Sequence, residues 1–113
     1  MPDVLGNFEQ AVLLALWQPT TELGKQGYGR AVLKEVQARL GHKVSAGAVY
    51  ATLDRLESKR LLSSRTEVGG VTRDNRSRRY YKIEREGFAA LREARAASER
   101  LWAGVRLPAK GMA

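Results

Sequence analysis

The chain has 113 residues, no cysteine and a single histidine, with 20 Lys and Arg against 12 Asp and Glu. That length supports one domain with a modest core, and the composition excludes a disulfide framework, a thiolate metal site and any multi-histidine metal centre. The net charge of +8 and pI near 10.3 point to a polyanionic partner, either nucleic acid or an anionic membrane surface.

No apolar run approaches the roughly 18–20 residues needed to span a bilayer. The start, MPDVLGNFEQ, lacks the basic flank and apolar centre of a secretory signal, so a cytoplasmic location is the expectation. The charge is unevenly placed. Residues 55–85 hold ten basic and four acidic side chains, which leaves +6 of the total +8 in under a third of the chain.

A first helix is predicted over 7–17, with Asn7 and Gln10 at capping-box spacing. Its interior, AVLLALW, is apolar almost all round, which predicts burial on every side. In so small a domain one face would meet the core and another a second chain, with Val12 and Leu16 at that interface. Gln18-Pro19 ends the helix, because a residue before proline is pushed out of the helical region. A polar loop over 20–27 follows.

A second helix is predicted over 28–40. Tyr28, Val32, Val36 and Leu40 recur every four residues beside Leu33, and Arg30, Lys34 and Gln37 are expected to face water. Gly41 suits the C′ position, and a short strand has room to form around Val44. The third helix is the stretch around which the chain is organised, SAGAVYATLDRLESKRLL over 45–62. Ser45 is a good N-cap, and Val49, Leu53 and Leu56 make one apolar face. The opposite face is small and uncharged at its first turn apart from Tyr50, so it can press closely against another molecule. Two amphipathic helices joined by a short glycine-containing connection match the helix-turn-helix pattern.

Beyond this pair the periodicity becomes extended. Strands are predicted over 62–68 and 79–83, the second (RYYKI) rich in strand-favouring residues. Between them lies a Gly, Asp, Asn and Ser loop carrying Arg73 and Arg76. Tyr80 and Tyr81 must point to opposite faces, so at least one belongs to the core. The last helix is predicted over 85–106. Leu91, Ala94, Ser98, Leu101 and Val105 follow heptad spacing as a dimer seam, interrupted by the serine and flanked by Trp102. The tail over 107–113 is expected to be disordered.

Helix, helix, helix, hairpin, helix is the order of a winged helix-turn-helix. Residues 1–84 would form the DNA-binding domain and 85–106 a C-terminal dimerisation helix, making a mainly α fold with one small β-hairpin. The third helix would enter the major groove and the hairpin would reach the backbone or minor groove. Ser45, Ala46, Gly47, Tyr50 and Ala51 are the candidate reading residues. Arg73, Arg76, Arg78 and Arg79 are the candidate phosphate contacts, since guanidinium forks suit phosphate oxygens. A solubilising loop is the plainer reading of those arginines. Tyr50 has two readings, one at a phosphate and one half-buried beneath the wing.

Gly27-Tyr28-Gly29, the run from Gly41 to Ser45, Gly47-Ala48-Val49-Tyr50, the run from Leu53 to Glu57, the run from Arg79 to Ile83, and Gly87 together resemble the PadR family of bacterial transcriptional regulators. The resemblance covers nearly the whole chain. It implies a homodimeric winged-helix repressor of the short branch, whose single C-terminal helix pairs across the dimer. Arg60 stands where the family usually has glycine, and Glu84 where it tends to have a capping threonine. Some short members line a ligand pore with an aromatic side chain on the last helix. Ser98 occupies the matching position here, with Trp102 one turn later. Trp102 therefore has two readings, a plug in the dimer interface or a platform for a small flat aromatic effector.

No catalytic, cofactor or metal site is expected. Ser45, His42 and Asp54 can be written as a triad, but a turn beside a helix cap offers no oriented base and no oxyanion hole. Gly27-x-Gly29 lacks the third glycine of a dinucleotide loop. The basic residues lie mostly on a hairpin and not on an amphipathic helix with a bulky apolar face, so no membrane partner is expected. The function expected is sequence-specific binding of a double-stranded DNA operator. Its alternatives are a protein-interaction module of the same fold and an architectural DNA binder without sequence preference.

Overall fold

In the computed structural model, residues 4–17, 29–68 and 77–111 are described. The order is α1 (Asn7–Leu16), α2 (Gly29–Leu40), α3 (Ala46–Ser58), β1 (Leu62–Val68), β2 (Ser77–Ile83) and α4 (Arg85–Trp102). The expected loop over 20–27, Tyr28 at the head of the second helix and the hairpin tip over 69–76 lie outside the described residues.

Helix α1 starts one residue earlier than its capping-box spacing predicts. Gly6 is the N-cap, and its N–H donates to Glu9 Oε1 at 3.2 Å. Gln10 turns back instead, donating from Nε2 to the Leu5 carbonyl at 2.9 Å. The helix packs against α2, α3, α4 and β2, so its all-round apolar surface is largely covered by its own chain. Val12 and Leu13 are completely buried. The expectation for Val12 is thereby corrected, since a side chain already enclosed by its own fold offers no surface to a second chain. Leu16 remains half-buried.

Helix α2 buries Val32 and Val36 and leaves Arg30 and Lys34 exposed, as its periodicity predicts. Gly41, at φ +78°, takes the left-handed C′ position, which costs a residue without Cβ little. Gln37 does not face water. Its Oε1 accepts the N–H of Val44 at 3.1 Å, so Val44 needs no strand partner and the short strand expected there does not form. This side-chain bond closes the turn between α2 and α3.

Helix α3 is capped at both ends. Ser45 Oγ accepts the N–H of Ala48 at 3.0 Å. At the other end Leu61 N–H donates to Leu56 O at 3.0 Å and Arg60 N–H to Glu57 O at 2.9 Å, the paired bonds of a Schellman ending. Arg60 holds φ +64° there, the only non-glycine at positive φ among the described residues. The helix therefore stops at Ser58, short of the expected 62, and Leu62 opens β1. Arginine makes the turn that glycine would make more easily.

Strands β1 and β2 pair antiparallel from Leu62 opposite Ile83 to Val68 opposite Ser77. Leu62, Ser64 and Thr66 share one face with Ile83, Tyr81 and Arg79. Leu62 and Tyr81 bring that face into the core, and Tyr80 is half-buried on the other. Val49, Leu53 and Leu56 of α3, all fully buried, complete the core with α1 and α2.

Helix α4 begins at Arg85 without a side-chain cap. The Glu84 carbonyl accepts from Gly87 and Phe88, while its carboxylate turns back to the Ser63 hydroxyl. Gly87 is required by close approach, because a Cβ there would lie 2.1 Å from the Leu61 carbonyl oxygen. The helix ends at Trp102 and not at 106. Ala103 (φ −58°, ψ 126°) and Gly104 (φ +74°) form a turn closed by Val105 N–H to Trp102 O at 3.0 Å, the type II pattern that asks for glycine at its third position. The predicted seam is corrected at two places. Val105 lies beyond the helix, and Ala94, 2% exposed, is buried within its own chain.

Candidate nucleic-acid interface

The expected reading surface forms as one exposed face. Ser45, Ala46, Gly47 and Ala51 are exposed around the first turns of α3, and Tyr50 is 45% exposed beside them. Tyr50 is thus not buried beneath the hairpin. A Cβ at Gly47 would meet nothing within 4 Å, so no internal packing demands a glycine there. What glycine leaves is room for an incoming surface. The side chains behind this face, Val49, Thr52, Leu53 and Leu56, are buried, so the helix is rigidly backed where it is most open.

The basic cluster is less uniformly outward than its sequence reads. Arg55 and Lys59 turn back to α1, where Glu9 Oε2 lies 3.6 Å from each. Arg65 stands over the Tyr80 ring at 5.1 Å. Arg79 is held at the junction of helix and hairpin. Its Nη2 donates to Glu57 Oε1 at 2.6 Å and its Nε to Ser64 Oγ at 3.0 Å. Its Nη1 lies 3.9 Å from Asp54 Oδ1. Arg79 was expected as a phosphate contact; its Nε and one Nη2 bond are used within the chain, while its side chain stays 48% exposed. The signal was in the strand parity, since Arg79 shares a face with Tyr81 and Ile83. Its partners Glu57 and Ser64 carry no signal on their own.

Arg73 and Arg76 fall outside the described residues, and Arg78 stands on β2 opposite Glu67. Near α3 and the hairpin base, Lys43, Arg60 and Lys82 are exposed. His42 Nδ1 lies 3.1 Å from the Lys43 carbonyl oxygen, in the turn before α3. Among the described residues no three His, Cys, Asp or Glu side chains gather to hold a metal, and no helix is long and apolar enough to cross a membrane.

A backed helix with a small exposed first turn, following a glycine-ended helix and leading into a two-stranded hairpin, is a winged helix-turn-helix. The pattern of the transcriptional regulator PadR-like family matches residues 21–93. The chain belongs to the PadR-like family of transcriptional regulators. Over 71 residues it is 44% identical to the transcriptional regulator Rv3488 of Mycobacterium tuberculosis, a match covering 63% of this chain and 63% of that protein. The match thus spans under two thirds of that relative's length. A PadR family transcriptional regulator from Eggerthella lenta has a similar fold, with TM-score 0.65 and 33% identity over 85% of this chain and 75% of that one. A further PadR family regulator, from Clostridium difficile, has TM-score 0.59 and 26% identity over 85% of this chain and 90% of that one. This is a family of transcriptional regulators and not of enzymes.

Away from the exposed face of α3, an open groove of about 480 Å³ lies between α1 and α4, walled by Leu14, Trp17, Phe88 and Leu91 and edged by Gln10, Arg92, Arg95 and Ser98. Trp17 and Phe88 meet edge to face with centroids 5.3 Å apart. Ser98 lines this groove together with the aromatics Trp17 and Phe88, and Trp102 is not part of the lining. Trp17 was missed because the sequence reads it as the end of a buried helix. Leu101 is 76% and Trp102 54% exposed.

Proposed function

We propose that this regulator acts as a homodimer that binds an operator in double-stranded DNA sequence-specifically and represses transcription by occupying it. The observation that carries this reading is the α3 face. Ala46, Gly47, Tyr50 and Ala51 present close-approach and thymine-methyl contacts and few long polar chains, on a helix backed by the core and flanked by the hairpin. Arg73, Arg76 and Arg78 supply the phosphate contacts. The dimer joins α4, through half-buried Leu91 and exposed Leu101 and Trp102, to the outer edge of α1 at Leu16 and Trp17. It sets two reading helices about 34–36 Å apart, or a multiple of that. A small planar aromatic effector entering the groove beside Trp17 and Ser98 would change that separation and release the DNA.

Selection of bound sequences from a random duplex pool tests the reading. The expected result is enrichment of one two-fold-symmetric site, bound far more tightly than bulk DNA, with log affinity falling linearly in log salt. Retention without enrichment would establish an architectural binder, and no retention a protein-interaction module. Replacing Arg76 and Arg78 by alanine should flatten the salt slope by roughly one unit per lost phosphate contact. Gly47→Gln should change the selected sequence while leaving thermal stability intact.

A further inference from the structure

Glu57, Ser64 and Arg79 come from three different elements, α3, β1 and β2, and close a ring. The Glu57 carboxylate accepts from Arg79 Nη2 through Oε1 at 2.6 Å and from the Ser64 hydroxyl through Oε2 at 2.7 Å. The same hydroxyl accepts from Arg79 Nε at 3.0 Å. The guanidinium also stands over the Tyr81 ring, 5.5 Å from its centroid, and Asp54 Oδ1 lies 3.9 Å from Nη1. Guanidinium, carboxylate and hydroxyl are each used at least twice, which fixes their relative orientation in a way that a single ion pair does not.

The position of the ring gives it a task. Leu62 and Tyr81 anchor the base of the hairpin in the core. Ser64 stands opposite Tyr81, and Arg79 stands two residues further out, opposite Thr66. Half-exposed ion pairs contribute little to global stability. A tether at this point sets the angle between the hairpin and α3. It also neutralises Asp54 and Glu57, whose charges would otherwise face phosphate.

We infer that Glu57, Ser64 and Arg79 are positioning residues for DNA recognition, locking the hairpin to the reading helix so that both meet the duplex in one fixed geometry. This inference rests on the proposed DNA-binding function and predicts a sign opposite to simple electrostatics. Removing an acidic side chain from a basic DNA-binding protein ordinarily tightens binding to any DNA. Here Glu57→Ala should weaken operator binding roughly three- to tenfold, as expected for one member of a coupled network. Its affinity for random duplex should hold or rise.

The experiment compares Glu57→Ala, Glu57→Gln, Arg79→Lys, Arg79→Ala and the double alanine variant. Each is titrated against the selected operator and a random duplex across a salt series, and hydrogen exchange is followed on the free protein. The double variant should bind operator no more weakly than the worse single one, because the two act as one unit. Glu57→Gln, which keeps a carbonyl acceptor for Arg79, should recover part of the loss, and Arg79→Lys should not, because it loses the fork. Hairpin amides over 62–68 and 77–83 should exchange faster in Glu57→Ala, with α1 unchanged. Tighter binding of Glu57→Ala to both DNAs, a flatter salt slope in Arg79→Ala, or unchanged hairpin exchange would each overturn the lock. A wild-type chain that binds no DNA would overturn the proposed function instead, and the exchange measurement would still decide the lock.

Discussion

Helices α3 and α4 solve the same problem in opposite ways. Helix α3 has 13 residues, a serine cap, a Schellman ending and four buried side chains. Helix α4 has 18 residues, no side-chain cap and only Gly87 and Ala94 buried. Its outer half is held by surface ion pairs, Arg95 with Glu99 and Arg100 with Glu93, which contribute little. Leu101 and Trp102 stand bare at its end. One helix is complete within its own chain and can be aimed outward. The other has apolar surface that its own chain does not cover. The difference teaches where this small fold invests its burial, behind the exposed face of α3 and not along the C-terminal arm.

The comparison can be broken most severely at its core. Leu53→Ala should cost about 2–5 kcal/mol of unfolding free energy, the range for emptying a fully buried leucine site. Chemical denaturation followed by far-ultraviolet circular dichroism would read it. Leu101→Glu should do the reverse, sparing helical content while producing monomers by sedimentation. Operator affinity should then fall by roughly two orders of magnitude, because the second half-site is no longer tethered to the first. A variant that stays dimeric would show that the exposed end of α4 is not the joint.

Smaller changes sharpen the contrast. Arg60→Gly should stabilise the chain by about 0.5–1 kcal/mol, because glycine takes φ +64° without the penalty a side chain carries there. A raised thermal midpoint with an unchanged far-ultraviolet spectrum would register it. The smallest effect concerns Tyr81. Burial pushes its phenol above the ordinary value of 10.0, with the Arg79 guanidinium pulling partly back. The folded state therefore holds this proton more tightly than the unfolded state. Its contribution is fully present below about pH 10 and is lost as pH rises through the folded value. Denaturant midpoints measured between about pH 9 and 11 should fall less in Tyr81→Phe than in the parent chain.

Much of the architecture was legible in the residues. The spacing of Val49, Leu53 and Leu56, the Ser45 cap, the Gly41 stop and the switch to extended pattern at Leu62 each act within a few residues. Local geometry is enough to read them. Much of what the residues alone could not settle was decided by packing. Val12 and Ala94 look like interface positions, one on an all-round apolar helix and one by heptad spacing, but the fold encloses them. Gln37 looks like a solvated residue, but it completes the turn before α3 by a bond across seven residues.

Arg79 is the clearest case. In sequence it is one of four arginines on a basic hairpin, and charge alone sends it outward. Strand parity placed it on the face of Tyr81 and Ile83, but only the packing of β1 and β2 against α3 brought Glu57 and Ser64 to it. Residue type and period determined which elements this chain forms and which face of each is apolar, because those depend on short-range geometry. Which charges point at a partner and which bind their own fold was decided by tertiary structure, because an ion pair depends on distance through space and the partners are 15 and 22 residues apart along the chain.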